Sequence, residues 1–267
     1  MGAWMDMSGG KTGSAIRLFV GDDLAAGRLV ALSSSQAHYA THVMRRGVGD
    51  ILSLFNGRDG EWNCRIQSVG RGRCEIGIEE QTGTQTSGPD LWLLFAPVKR
   101  AGIDFIAAKA TELGASAFWP VMTRHTAVTR VNLDRLRANV IESAEQCRRR
   151  DVPRVMEPSS LAAVLAEWDS KRRILLCDET GHGRLMADML TGMRDDKPGG
   201  PVPWAVIVGP EGGFAETELD ALAKLPFVYA ATMGPRILRA DTAALAALTC
   251  WQAMIGDWGY RPDSEDD

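Results

Sequence analysis

The chain has 267 residues, 45% of them hydrophobic, and its 30 Lys and Arg against 34 Asp and Glu give a net charge of −4. This size suffices for one large or two medium domains with a sizeable core. No run of about 18 apolar residues occurs, which argues against a membrane-spanning helix. The five cysteines include no CxxC pair, which favours a reducing compartment, here the cytoplasm, and disfavours a metal site.

The acidic total does not exclude a nucleic-acid partner, because the charges are unevenly distributed. Residues 86–165 hold 11 Lys and Arg against 8 Asp and Glu, which is a local excess of positive charge. The last five residues, 263–267, contribute −4 on their own. A basic face is therefore compatible with the acidic total.

The N-terminal part, residues 17–82, is predicted to be a small β-rich unit behind a disordered leader, residues 1–16. Short alternating runs predict strands at 17–20, 50–55, 61–69 and 73–79. Residues 33–46 are predicted to form a helix capped by Ser33 or Ser34. Short strands of this kind fit a compact β-barrel.

The pattern changes after a polar stretch at residues 83–90, which we predict to be a linker. Apolar runs predict buried strands at 91–98, 117–122, 174–178, 206–208 and 228–233. They alternate with helices, the last at 241–258. This alternation predicts an α/β domain over residues 91–258, built on a parallel sheet with helices on both faces. An acidic tail, residues 259–267, follows.

Two strand–loop–helix segments carry the strongest functional signal. Val206–Phe214 contains the loop sequence GPEGGF, and Met233–Leu245 reads MGPRILRADTAAL. Glycine loops expose main-chain N–H and C=O groups to a ligand, so the pair predicts one small-molecule pocket. The first loop alone is equally compatible with an ordinary turn into a helix, or with a bound anion at the helix start.

Charged residues surround the two loops. Arg236 and Arg239 flank two apolar residues, a pattern that a helix cap alone does not require, and Asp241 or Thr242 would cap the helix that follows. A further basic group, Arg148 to Arg150, ends the helix predicted at 133–149. These cations fit two roles, complementing the helix dipole or contacting phosphates. No Ser/His/Asp or Cys/His set predicts a covalent nucleophile.

The two loop sequences together resemble the SPOUT-class methyltransferases, and more narrowly the family that methylates N3 of a uridine in 16S ribosomal RNA of the small subunit. The resemblance spans about residues 17–258. Weaker supporting segments are RLFV at 17–20, HVMRRGVGD at 42–50, KATELG at 109–114 and EQCR at 145–148. Asp241 departs from the family, which usually has glutamate before Thr-Ala, and its shorter carboxylate would reach less far into a pocket.

The resemblance implies an N-terminal PUA-like RNA-binding barrel and a C-terminal α/β domain with a deep trefoil knot, in a homodimer. S-adenosylmethionine would lie bent against the knotted loops. The last helix would offer an apolar face near the dimer interface, formed by Ala243, Leu245, Leu248, Trp251 and Met254. The implied cofactor-binding residues are Leu176, Gly209, Pro210, Glu211, Gly212, Gly213, Met233, Gly234, Ile237 and Leu238.

Catalysis is assigned to Arg239, Arg236 and Glu211. The arginines would hold uracil oxygens or phosphate and stabilise the uridine anion, whereas Glu211 would act as a base or orient an arginine. The expected RNA contacts are Arg17, Arg45, Arg46, Arg148, Arg149 and Arg150. Two alternatives stay open: a SPOUT methyltransferase that acts on a ribose 2′-hydroxyl, and a non-catalytic RNA-binding assembly factor.

Overall fold

A computed structural model of the chain describes residues 16–181, 183–193 and 202–259 and divides into two compact units, residues 1–86 and 87–267. The predicted leader up to residue 15 and the predicted tail from residue 260 lie outside the described residues. Within the described ranges, no helix combines the length and apolar character that crossing a membrane requires.

The first unit is a mixed five-stranded sheet. Its strands are β1 (Arg17–Phe19), β2 (Leu29–Ala31), β3 (Ile51–Phe55), β4 (Glu61–Gly70) and β5 (Arg73–Gly83), in the order β1-β3-β4-β5-β2. β1 runs parallel to β3, and the other neighbours are antiparallel. The four strands predicted by alternation are confirmed. The alternation misses β2, because a three-residue strand with one buried side chain is too short to show a period.

The helix of the first unit is shorter than predicted. Ser33 caps α1 (Ser34–His38), since its hydroxyl accepts the Gln36 N–H at 3.3 Å and the Gln36 side-chain oxygen accepts the Ser33 N–H at 3.2 Å. The chain then forms a π-helical turn at Tyr39–Val43. It leaves the helical conformation at Arg45, whose φ of 55° is left-handed.

The second unit contains the predicted parallel sheet. Its strands are β6 (Leu91–Phe95), β7 (Ala117–Met122), β8 (Arg154–Val155), β9 (Ser159–Ser160), β10 (Arg173–Cys177), β11 (Arg184–Leu185), β12 (Trp204–Val208) and β13 (Val228–Thr232). The order is β11-β13-β10-β12-β6-β7-β8, with β9 also beside β7, and every described pairing is parallel. The trefoil knot itself stays a prediction.

Helices cover both faces of this sheet. They are α2 (Arg100–Glu112), α3 (Leu133–Gln146), α4 (Leu161–Ala166), α5 (Met186–Thr191), α6 (Glu216–Ala223) and α7 (Ala240–Ile255). Successive strand residues enter different cores: Leu175 belongs to the core that includes Leu248 of α7, and Leu176 to the core that includes Leu222 of α6. Because side chains alternate along a strand, the two cores lie on opposite faces. This confirms the layered arrangement expected from the sequence.

The apolar face predicted for α7 is used inside the unit. Ala243, Leu248 and Trp251 are buried in the core that α7 shares with α2 and α5, and Met254 packs against it. Leu245 and Met254 are half-buried, and the interface role expected for this face stays a prediction.

Arg17, which was expected to contact RNA, is part of the interior of the first unit. Its guanidinium lies 3.8 Å from the centroid of the Phe55 ring, and its Nε donates to Glu61 Oε1 at 2.9 Å. Only 8% of the Arg17 side chain and 17% of the Glu61 side chain are exposed. A guanidinium held between a carboxylate and a ring in this way supports the fold, so we remove Arg17 from the expected RNA contacts.

We predict that Arg17→Ala destabilises the first unit by about 3 kcal/mol, because it removes a largely buried ion pair and the packing of the guanidinium on the Phe55 ring. Arg65→Ala is the matched control, since Arg65 pairs with Glu79 at a site where both side chains are about 40% exposed, and it should leave the stability of the unit nearly unchanged. Hydrogen exchange of the β1 and β3 amides in the full chain measures both. An unchanged exchange rate in Arg17→Ala, together with weaker RNA binding, would return Arg17 to the RNA surface.

Candidate active site

A cavity of about 780 Å³ lies at the carboxyl ends of three neighbouring strands of the second unit. The lining consists of the last residue of each strand and the loop after it: residues 177–181 from β10, residues 208–211 and 213 from β12, and residues 232–239 from β13. Ala240 and Ala243 of α7 and Lys99 complete the wall. Ligands of open α/β sheets bind at this edge, so the position of the cavity agrees with its use as a binding site.

The cavity collects most of the residues that the sequence singled out. Its wall includes Arg236, Arg239, Glu211, Gly209, Pro210, Gly213, Met233, Gly234, Ile237 and Leu238. Two predicted residues do not line it. Leu176 is 3% exposed and is buried in the core that lies on the α6 face of the sheet. Gly212 faces His125, since a Cβ added to this glycine would lie 3.4 Å from the His125 side chain. We leave these two residues out of the site.

Gly213 is required where the first loop passes close to its neighbour. Its φ of 71° is left-handed, and a Cβ there would lie 2.5 Å from the Glu179 carboxylate. The same Glu179 oxygen accepts the Phe214 N–H at 3.1 Å, which ties the loop after β10 to the loop after β12. The glycine is therefore explained by a close approach between two loops, as well as by its backbone conformation.

His125, from the segment after β7, also fixes the first loop, and no sequence motif identified it. Its Nδ1 lies 3.1 Å from the Gly213 carbonyl oxygen, and the neighbouring Arg124 N–H donates to Glu218 Oε1 at 2.9 Å. Gly213 N–H in turn donates to the Pro210 carbonyl at 2.9 Å. The loop is thus held at several points, which keeps its main-chain groups in fixed positions.

The second loop separates its two apolar residues. Leu238 packs against the core of the unit, whereas Ile237 is 87% exposed at the rim of the cavity. The helix after the loop, α7, begins at Ala240 with Arg239 as its N-cap residue, which makes no side-chain capping bond. The expected cap at Asp241 or Thr242 is therefore wrong. The Asp241 carboxylate instead accepts the adjacent Thr242 N–H at 2.7 Å.

The charges at the rim are left without internal partners. Within the described ranges, the side chains of Arg236, Arg239 and Glu211 make no ion pair and no hydrogen bond.

Burial raises the pKa of the Cys177 thiol to about 12, with the nearby Glu179 and Cys250 acting in the same direction. Cys177 is thus a neutral thiol at physiological pH, which does not favour a covalent role. What the cavity offers is main-chain polar groups and unpaired charges.

The remaining expected RNA contacts differ in what they already bind. Arg149 is 11% exposed, pairs with Asp151 through two nitrogens, and donates to the carbonyls of Thr111 and Ala115 at 2.8 Å each. It therefore holds the end of α2, and we remove it from the RNA set. Arg46 and Arg150 are half-buried.

Arg45 and Arg148 are exposed, and each follows a helix end in a left-handed conformation, with φ of 55° and 63°. They are the two non-glycine residues with positive φ among those that the structure describes. A left-handed residue at this position after a helix is usually glycine. Both residues stay expected RNA contacts.

Comparison with known proteins relates both units to RNA methyltransferases. A family model described as RNA methyltransferase domain matches residues 86–252, and one described as RNA methyltransferase PUA domain matches residues 32–79. The protein named ribosomal RNA small subunit methyltransferase E of Rickettsia conorii is 31% identical over 233 residues, which cover 87% of this chain and 93% of that protein. The protein of the same name from Bacillus subtilis is 27% identical over 226 residues, covering 82% and 88%.

Solved structures agree with these relatives. The crystal structure of a ribosomal RNA small subunit methyltransferase E from Neisseria gonorrhoeae, bound to S-adenosyl methionine, has a TM-score of 0.80 at 27% identity and covers 91% of this chain and 99% of that one. A Legionella pneumophila methyltransferase in complex with the same cofactor has a TM-score of 0.78 at 26% identity, with 91% and 99% covered. With a catalytic-domain match over more than half of its length and a relative 31% identical along most of both chains, the protein belongs to this family of RNA methyltransferases.

Proposed function

We propose that the protein transfers a methyl group from S-adenosylmethionine to N3 of a uridine in 16S ribosomal RNA of the small subunit. The observation that carries the proposal is the cavity at the ends of β10, β12 and β13, where glycine-bearing loops meet unpaired arginines. Relatives named as small-subunit ribosomal RNA methyltransferases, and solved relatives that bind the cofactor, support it.

The residues of the cavity fit the cofactor. Gly234 lines the wall with a φ of 104°, and a Cβ there would meet no atom within 4 Å, so the backbone borders open space. Asp178 and Glu179 supply negative charge that complements a sulfonium. When bound, the cofactor supplies a methyl group that its sulfonium already activates. The residues proposed to hold it are those at 177–181, 209–211, 213 and 233–238, apart from the exposed cations.

The chain's own part in the reaction is to position the uracil and to stabilise charge. Uracil N3 carries a proton at neutral pH and becomes a nucleophile only after that proton leaves. A nearby cation stabilises the resulting anion and so lowers the pKa of N3. Arg236 and Arg239, which have no internal partner, are proposed for this role. Glu211 is proposed to accept the proton or to orient one of them.

The target base must also reach the cavity. A uridine in a helix would have to be extruded, whereas one in a loop is already accessible. We further propose that the protein acts in the cytoplasm on the small subunit and works as a homodimer. Sedimentation of the purified chain tests the homodimer.

Nucleoside analysis decides between the proposal and its alternatives. Small subunits from a strain deleted for this gene are treated with the protein and the cofactor, and the 16S RNA is digested and analysed by mass spectrometry. We expect 3-methyluridine. A 2′-O-methylated nucleoside would support the ribose alternative, and an unmodified RNA that nevertheless binds the protein would support an assembly factor.

The first prediction concerns the cofactor site. We expect the wild-type protein to bind S-adenosylmethionine with a Kd of about 1–100 µM. Gly213→Ala should weaken binding about tenfold, because it strains a left-handed residue and pushes the Glu179 carboxylate aside. Gly212→Ala is the matched control in the same loop and should change the Kd by less than about threefold. Calorimetry measures all three, and equal affinities would place the cofactor elsewhere.

The second prediction concerns Arg239. Arg239→Ala should lower single-turnover methylation about 10²–10³-fold with saturating RNA, since it removes one preorganised stabiliser of the developing charge. Arg239→Lys should recover only part, because an ammonium does not reproduce the two-pronged guanidinium. Cofactor affinity should stay within a few-fold. Arg184→Ala, which removes an exposed cation outside the cavity wall, is the control. A wild-type rate in Arg239→Ala would transfer the role to Arg236 or Glu211.

The third prediction separates RNA binding from folding at Arg148. Arg148→Gly should be as stable as wild type or more stable by up to about 1 kcal/mol, because glycine adopts the left-handed conformation without strain. It should nevertheless weaken RNA binding and lower the salt slope by about one charge. Arg137→Gln, an exposed cation elsewhere on α3, serves as control. An unchanged salt slope would mean that Arg148 does not contact phosphate.

A further inference from the structure

A fourth loop reaches the cavity, and its lysine has no role in the reaction described so far. Lys99 follows β6 and takes the N-cap position of α2, where its side chain makes no capping bond. It is exposed and lines the same cavity as Glu211 and Arg239. The connection from Pro97 to Arg100 reads PVKR and contains no glycine, so the sequence alone does not indicate that it borders a binding pocket.

The strand order sets where Lys99 enters. The Ala96 N–H donates to the Val208 carbonyl at 2.9 Å, so the pairing of β6 with β12 continues to the edge of the cavity. Lys99 lies three residues after Ala96, and Glu211 lies three residues after Val208. Arg239 ends the loop after β13 and is the N-cap residue of α7, a helix that packs against β12, β6 and α2. Lys99 and Arg239 thus both line the cavity, Lys99 from the start of α2 and Arg239 from the start of α7.

The charge of Lys99 is not neutralised inside the protein. Among the described residues its amino group has no ion pair and no hydrogen bond, and the first turn of α2 contains no acidic residue. Asp178 already accepts the Thr180 hydroxyl at 2.7 Å, and Glu179 accepts the Phe214 N–H. The charged side chains that line the cavity together with Lys99 are Asp178, Glu179, Glu211, Arg236 and Arg239. An unpaired cation on a cavity wall favours an anionic group of the ligand.

We propose that Lys99 binds an oxygen of the target uracil and, together with Arg239, stabilises the N3 anion. The proposal rests on the proposed function, because N3 methylation requires a deprotonated uracil. The N3 proton leaves to Glu211 or, where Glu211 only orients an arginine, to water, and the negative charge spreads over O2, N3 and O4. N3 then forms the bond to the methyl carbon while the carbon–sulfur bond breaks and its electron pair passes to sulfur. An anion and a sulfonium thus become two neutral products.

A stabilising cation has a signature that a structural residue lacks. An opposite charge within about 4–6 Å lowers a pKa by about 1–3 units. In Lys99→Gln, which removes the charge, the rise of the single-turnover rate with pH should therefore move up by about 1–3 pH units. The rate should fall about 10–10³-fold at neutral pH and approach the wild-type rate at high pH. Lys99→Arg should keep the wild-type profile.

The experiment uses the full chain, saturating small subunits from the deletion strain, and buffers from about pH 6 to about pH 10, a range that spans the expected shift. Arg100→Gln, which removes the adjacent exposed cation outside the cavity wall, is the matched control and should match wild type. Calorimetry with S-adenosylhomocysteine should give Lys99→Gln an affinity within about threefold of wild type.

Three outcomes would overturn the role of Lys99. They are a loss of rate that is equal at every pH, a loss confined to KM, and a fall of cofactor affinity by about tenfold or more, which would make Lys99 a cofactor ligand. The product separates the two proposals. A wild-type product methylated on ribose refutes the proposed function and the Lys99 role together, whereas 3-methyluridine without a shifted pH profile refutes Lys99 alone.

Discussion

The site depends on three neighbouring parallel strands, β10, β12 and β13, that end at the same edge of the sheet. Leu176 of β10 is in register with Ile207 of β12 on one side and with Ala230 of β13 on the other, so the loops that follow start from one edge of the sheet. Parallel strands need long crossover connections, and these loops therefore belong to distant parts of the chain. β10 and β12 are almost wholly buried between the helices, whereas β13 is only partly buried. The cavity is a consequence of that burial, because only the loops beyond the strands are free to face a ligand.

Arginine is used in two physically different ways in this protein. Arg17, Arg149 and Arg172 are largely buried, and each is paired with a carboxylate, Arg172 with Asp90 at 2.6 Å. A guanidinium removed from water requires such a partner, and the pair then fixes the geometry around it. Arg236 and Arg239 remain exposed at the rim and keep their hydrogen-bonding capacity. The same residue type thus supports the fold where it is paired and can serve a ligand where it is not.

Left-handed backbone conformations also occur in two different settings, at a glycine in the cavity and at two exposed arginines. The left-handed Gly213 meets the demands of two crossing loops, and glycine adopts this conformation at little cost. Arg45 and Arg148 adopt it after helix ends, although a side chain makes it less favourable. Their side chains are exposed, so the fold gains no burial in return. Packing therefore does not explain why arginine stands at these two positions.

The sequence by itself determined the layered architecture and the position of the pocket. Continuous apolar runs predicted β6, β7, β10, β12 and β13, because strands covered on both faces have no polar period. The sequences GPEGGF and MGPRILR located two of the cavity loops, since glycine and proline mark turns whatever surrounds them. Very short elements, such as β2 and α4, left no readable period.

Only the tertiary structure decided which side chains the cavity receives. It turned Leu176 into the core on the α6 face of the sheet, separated Ile237 from Leu238, paired Arg17 with Glu61, and brought Arg149 to the carbonyls of Thr111 and Ala115. It also brought His125 against Gly213 and Lys99 to the cavity wall. Each of these outcomes depends on the order of the strands and on contacts between segments far apart in the chain. Local sequence patterns record how a residue is buried within its own element, and they contain no information about which distant element comes to lie beside it.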